Sequence, residues 1–124
     1  MSNIHSKDTK PELLVARELR RRKIYFARNV KSLIGKPDIV FRKKKVILFI
    51  DSDFWHGHPK RCIMPKSNKR YWNKKIKYNI IRDKEVKKQL KRMGWKVIRI
   101  WEYDINHSIN KSLARVFRVL RVNK

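Results

Sequence analysis

Apolar residues recur along this chain at two different spacings, and the switches between them outline a fold. From Thr9 the spacing is helical. Leu13, Leu14, Ala16 and Leu19 form an apolar stripe, and Arg17, Arg20, Arg21 and Arg22 form a basic one. Thr9 or Asp8 can cap this helix, Pro11 suits its first turn, and Glu12 stands in capping-box register with Thr9. Ile24-Tyr25-Phe26-Ala27-Arg28 then reads as a short strand. After the turn Ile34-Gly35-Lys36-Pro37, a second strand runs from Asp38 to Phe41. A cationic turn over 42–45 leads into Val46-Ile47-Leu48-Phe49-Ile50. An unbroken apolar run of this kind marks a central strand covered on both faces.

Residues 52–70 have no regular spacing and contain Gly57, Pro59 and Pro65. A long helix is predicted over 71–93, with apolar positions at Trp72, Ile76, Ile80, Val86, Leu90 and Met93 and with Gly94 closing it. Residues 95–101 alternate as a strand, with Trp95, Val97 and either Ile100 or Trp101 inward. Leu113, Val116, Phe117 and Leu120 mark a final amphipathic helix. The order α-β-β-β-α-β-α predicts a single α/β domain over 1–124 with a mixed sheet.

Charge changes the picture from a fold to a partner. The chain has 35 Lys and Arg against 10 Asp and Glu, a net +25 over 124 residues. Such an excess points to a polyanion, with nucleic acid first, because each phosphate neutralised releases condensed counterions. The 41% hydrophobic content suffices for a core. No apolar run approaches the ~20 residues of a membrane span, and Met1 to Pro11 holds no signal-peptide core. The lone Cys62 excludes an internal disulfide and fits a reducing cytosol. A ribosomal or histone-like protein would share this composition, and its few acids would sit in exposed helical pairs.

Two of the acids do not fit that description. Asp38 begins one strand and Asp51 ends the next, 13 positions on. Antiparallel pairing across the 42–45 turn would bring their carboxylates together at one end of the sheet. Two close carboxylates beside a phosphate backbone are reconciled by a divalent cation. Mg²⁺ would also stabilise charge on a scissile phosphodiester. The alternative is that Asp38 caps a turn and Asp51 pairs with a lysine. Close behind stand Asp53, Phe54, Trp55, His56, Gly57 and His58. His56 is a candidate general base. Phe54 and Trp55 are either stacking residues for bases or anchors of the loop.

These residues also match a pattern. Pro37-Asp38, then Phe49-Ile50-Asp51-Ser52-Asp53-Phe54-Trp55-His56-Gly57-His58, then Pro65-Lys66-Ser67-Asn68 with Tyr71-Trp72 fall in order. Asn79 with Arg82-Asp83, and Gly94-Trp95-Lys96-Val97 with Ile100-Trp101-Glu102, continue the series, which Asp8-Thr9-Lys10-Pro11-Glu12 opens. Over about residues 1 to 105 the chain resembles the very short patch repair (Vsr) endonucleases. The resemblance implies a restriction-endonuclease-like (PD-(D/E)xK-type) three-layer domain, with a central mixed β-sheet flanked by helices.

The resemblance also implies roles. Asp38 would be the metal-binding aspartate, joined by Asp51 and the backbone carbonyl of Ile50. His56 would be the general base, Asp83 the carboxylate that orients it, and Glu12 a helix-borne acid reaching metal-bound water. Phe54, Trp55 and Trp72 would wedge into the DNA stack beside a mismatch, and Lys75 and Asn79 would read the mispaired bases. Asp53 stands where the wider fold often has a lysine, so His56 would take over that lysine's part.

The chain departs from the family in two places. Asp53, His58, Lys60 and Tyr103 occupy the positions of the family's zinc-binding Cys and His residues. Cys62 lies slightly out of register, so no structural zinc is predicted. The other departure is a DNA-contacting N-terminal arm that is missing or very short. The implied function is a Mg²⁺-dependent endonuclease, a cytoplasmic, nucleoid-associated monomer that nicks duplex DNA at T·G mismatches. The alternatives are a homing or restriction-associated enzyme cutting a matched sequence and a DNA-binding module that does not cleave. The set Asp38, Asp51, His56 and Asp83 argues against the last.

Overall fold

The computed structural model describes residues 10–52 and 67–120. Helix α1 (Lys10–Arg21) leads into strands β1 (Ala27–Arg28), β2 (Ile39–Phe41) and β3 (Val46–Asp51). Helix α2 (Lys69–Arg92) then crosses to strand β4 (Lys96–Trp101), and helices α3 (Glu102–His107) and α4 (Ile109–Leu120) follow. The strands form one sheet in the order β1-β2-β3-β4. The first three are antiparallel neighbours, whereas β4 lies parallel to β3, a pairing that requires the α2 crossover.

Two apolar cores, one on each face, make this a three-layer domain. On one face Ile39, Phe41, Val46, Leu48, Ile98 and Ile100 pack with Val15 and Leu19 of α1, Ile105 of α3, and Leu113, Val116 and Phe117 of α4. On the other, Val40, Ile47, Phe49 and Val97 pack with Val86 and Leu90 of α2. Strand β3 is therefore covered on both sides, as its unbroken apolar run requires.

The ends of the elements shift from the sequence pattern for local reasons. The 24-residue helix α2 stops in a Schellman motif: Gly94 N–H donates to Lys91 O at 3.0 Å and Trp95 N–H to Leu90 O at 3.0 Å. Trp95 is thus the apolar residue that follows the cap rather than the first residue of β4. Helix α1 ends in the same way, with Lys23 at φ 59° and Ile24 N–H donating to Leu19 O at 3.0 Å. That use of Ile24 shortens the predicted 24–28 strand to Ala27–Arg28.

On α1 the buried positions are Pro11, Glu12, Val15, Ala16 and Leu19, whereas Leu13 is exposed. The inward stripe therefore includes an acid. Strand β4 buries both parities, Val97 and Ile98 alike, because helices cover both of its faces. Helix α3 was not anticipated. Its only buried residue is Ile105, and one apolar position makes no periodicity. Met93, placed on the apolar side of the long helix by spacing, is exposed at the cap.

Candidate active site

Register places the two acids. Ile39 pairs with Leu48 and Phe41 with Val46, so Asp38, one step before β2, lies opposite Phe49. Asn29 N–H donates to Asp38 O at 2.9 Å, extending the β1–β2 ladder to this residue. Side chains alternate along a strand. Asp38, Phe49 and Asp51 consequently share one face, the one covered by α2 together with Val40 and Ile47. The pairing is antiparallel, as expected across the 42–45 turn.

The Asp38 carboxylate is anchored on β3. Its Oδ2 accepts the Ile50 amide N–H at 2.7 Å, a short, charge-assisted bond. The contact at Ile50 is thus through its amide N–H and not through its carbonyl oxygen.

Asp51 is buried, at 5% exposure. Among the described residues an arginine pairs with it. Arg99, from the middle of β4, donates from Nη1 to Asp51 Oδ1 at 2.8 Å. The same guanidinium reaches across to α2, where its Nη2 lies 3.5 Å from Asp83 Oδ1. Its Cζ sits 4.2 Å from the centroid of the Phe49 ring, the residue beside it in the β3–β4 register. Asp51, Asp83 and Phe49 thus converge on one arginine.

Arg99 escaped the sequence reading, although a signal was present. It has the same parity as Val97 on a strand whose faces are both buried, and an inward charge there requires an opposite charge nearby. Counting the alternation as far as residue 99 would have found it.

Glu12 lies on α1, in the layer on the other side of the sheet. It is buried, with Arg28 Nη2 at 3.9 Å from its Oε1. Arg28 pairs in register with Ile39, hence on that same face.

On α2, Trp72 packs edge-on to Tyr71 with centroids 5.0 Å apart, and Lys75 Nζ stands 5.8 Å from the Tyr71 ring. Lys75 and Asn79 line one groove of about 570 Å³ with Tyr71, Lys74, Tyr78 and Arg82. Tyr78, which no motif had singled out, is 62% exposed in this groove. At ~1.5 Å per residue α2 is about 36 Å long, against about 20 Å for a six-residue strand, so much of it runs past the sheet. Its buried residues are Ile76, Val86 and Leu90.

Phe54, Trp55 and His56, like Asp53, His58, Lys60 and Cys62, lie outside the described residues. Among the described residues no three His, Cys, Asp or Glu side chains cluster as a metal cage. Asp38 and Asp51 nevertheless offer hard oxygen donors on one face, which suits a hard cation that keeps several waters. No described helix is long and apolar enough to cross a membrane.

The mixed sheet between helical layers, with one aspartate just before β2 and another at the end of β3 on the same face, has the architecture of the restriction-endonuclease-like nucleases. Comparisons narrow the class. The family model for the DNA mismatch endonuclease Vsr matches residues 1–62. The type II nicking enzyme V.NmeAIP of Neisseria meningitidis serogroup A is 41% identical over 116 residues, covering 93% of this chain and 81% of its own. V.NmeDIP of Neisseria meningitidis serogroup C, also named a type II nicking enzyme, is 42% identical over 123 residues, covering 98% and 83%. The DNA mismatch endonuclease Vsr of Escherichia coli K12 is 31% identical over 105 residues, covering 82% and 66%. The chain belongs to the Vsr family of DNA endonucleases.

Proposed function

We propose that this protein nicks one strand of duplex DNA beside a T·G mismatch, using Mg²⁺ held by Asp38, Asp51 and the Ile50 carbonyl. The observation that carries the reading is the shared face of Asp38 and Asp51 at one end of an antiparallel pair, in a chain of net charge +25. When bound, the cation polarises the phosphate and stabilises charge on the leaving 3′ oxygen. His56 accepts the proton of the attacking water, and Asp83 fixes its imidazole tautomer. The products carry 5′-phosphate and 3′-hydroxyl ends.

Phe54, Trp55 and Trp72 wedge between bases, and Lys75 and Asn79 approach the mispaired edges from the groove on α2. The basic stretches 20–23, 43–45 and 87–92 supply phosphate contacts. One active centre is enough to cut one strand, so the working unit is a monomer acting on DNA in the cytoplasm. Relatives named as nicking enzymes and as a mismatch endonuclease support this reading.

The test is incubation with supercoiled plasmid, matched linear duplex and T·G duplex, each with Mg²⁺ or with EDTA. Mg²⁺-dependent nicking confined to the T·G duplex is the expected result. Cutting of a matched site would replace mismatch repair with sequence-directed nicking. Tight binding without cleavage in any arm would refute the enzymatic reading.

A further inference from the structure

Arg99 is placed where a chain with +25 net charge has no general need of another cation. Its side chain is only 21% exposed, and among the described residues its Nε is buried with no hydrogen-bond partner. Burying a guanidinium incompletely satisfied is unfavourable unless nearby charges compensate. The compensation comes from the site itself: Asp51 at 2.8 Å, Asp83 at 3.5 Å and the face of Phe49 at 4.2 Å. The planar fork of arginine can address two carboxylates at once, which a lysine point charge cannot.

We propose that Arg99 is a positioning residue and an internal competitor for the divalent cation. It neutralises Asp51, ties the end of β3 to α2 through Asp83, and sets how tightly the acid pair takes up metal. The inference rests on the metal-centred reading above and deepens it. A metal approaching Asp38 and Asp51 meets a carboxylate already paired and a like charge beside it, and both effects weaken binding. The Nη1–Asp51 bond is the part that yields. The Phe49 stack and Asp83 keep the guanidinium nearby, so the site need not be rebuilt when metal leaves.

The experiment is Mn²⁺ binding to the whole chain without DNA, followed by electron paramagnetic resonance of free Mn²⁺. Arg99→Gln is expected to bind Mn²⁺ at least about tenfold more tightly than wild type, because a unit charge within a few ångströms has been removed. In an Asp51→Asn background the same change should bring a smaller gain, because only the like-charge repulsion is then relieved. A merely structural role predicts the opposite, a loosened site with weaker binding. Arg99→Lys covers the case in which the glutamine variant folds poorly. It keeps one charge but not the span between two acids, and should tighten Mn²⁺ binding a few-fold.

Unchanged or weaker binding in the folded Arg99 variants, with Asp38→Ala still abolishing it, would overturn the proposal and leave the metal centre standing. Mn²⁺ binding indifferent to Asp38→Ala and Asp51→Asn would instead overturn the metal centre itself, and the competition with it.

Discussion

Asp38 has two jobs that one substitution can separate from another. It caps the β2–β3 ladder by accepting the Ile50 N–H at 2.7 Å, and it is the proposed anionic ligand of the metal. Asp38→Ala removes both. A lost charge-assisted bond to a backbone amide is worth about 1.5–3 kcal/mol. Asp38 is only half-buried, so the lower end applies, about 1.5 kcal/mol, or a fall of roughly 6 °C in Tm for a domain of this size. Asp38→Asn keeps an amide oxygen for Ile50 and also relieves repulsion with Asp51. Its stability should stay within about 0.5 kcal/mol of wild type, since the net worth of an ordinary hydrogen bond is restored.

Turnover should fall alike in both variants. Loss of an anionic metal ligand removes at least about 4 kcal/mol of transition-state stabilisation, a factor near 10³. The assays are thermal denaturation by circular dichroism and single-turnover nicking of a T·G duplex under saturating enzyme. An asparagine variant that is stable yet within tenfold of wild-type nicking would refute the assignment of Asp38 to the chemistry. An alanine variant as stable as wild type would refute the capping role.

Four other outcomes are expected. Gly35 has φ +81°, and a Cβ there would lie 2.6 Å from Val86 Cγ1 and 3.2 Å from Phe49 Cζ. Gly35→Ala should therefore lower stability by about 1–3 kcal/mol in chemical denaturation, through backbone strain and overpacking together. Glu18 is held below the usual carboxylate range chiefly by its hydrogen bond with Arg21, and further by Arg22, against some desolvation. The lowered folded-state value means that its contribution is present above the unfolded pKa and fades as pH falls through the folded one. Glu18→Gln should be roughly 0.5 kcal/mol less stable at pH 7 and should converge with wild type in acid, read from urea midpoints across pH. Replacing Lys87 and Lys88 together by alanine should reduce the slope of log K against log [salt] for duplex binding by about 2, measured by fluorescence anisotropy. Metal analysis of the purified protein should find zinc well below one per chain, and stoichiometric zinc would refute the reading of Asp53, Lys60 and Tyr103 as departures from a zinc site.

By itself the sequence determined the elements that pattern and chemistry both specify. The apolar run over 46–50 could only be a strand covered on both faces. Gly94 after a long 3.6-residue period could only close a helix. Asp38 and Asp51, flanking a short turn, belonged at one end of an antiparallel pair. These are local signals, carried by residues close together in the chain. Short loops leave few geometries for adjacent strands.

What the sequence could not decide depends on which distant segments pack together. The parallel partner of β3 begins 45 positions after Asp51, at Lys96, and only that pairing sets Arg99 beside Phe49 and within reach of Asp51. The Asp83 contact needs α2 laid across the same face. Glu12 reads as a capping residue from its spacing, and only the folded layers turn it inward toward Arg28. A charge is legible in sequence, whereas its counter-charge is a product of topology, because electrostatic partners are chosen by distance in space.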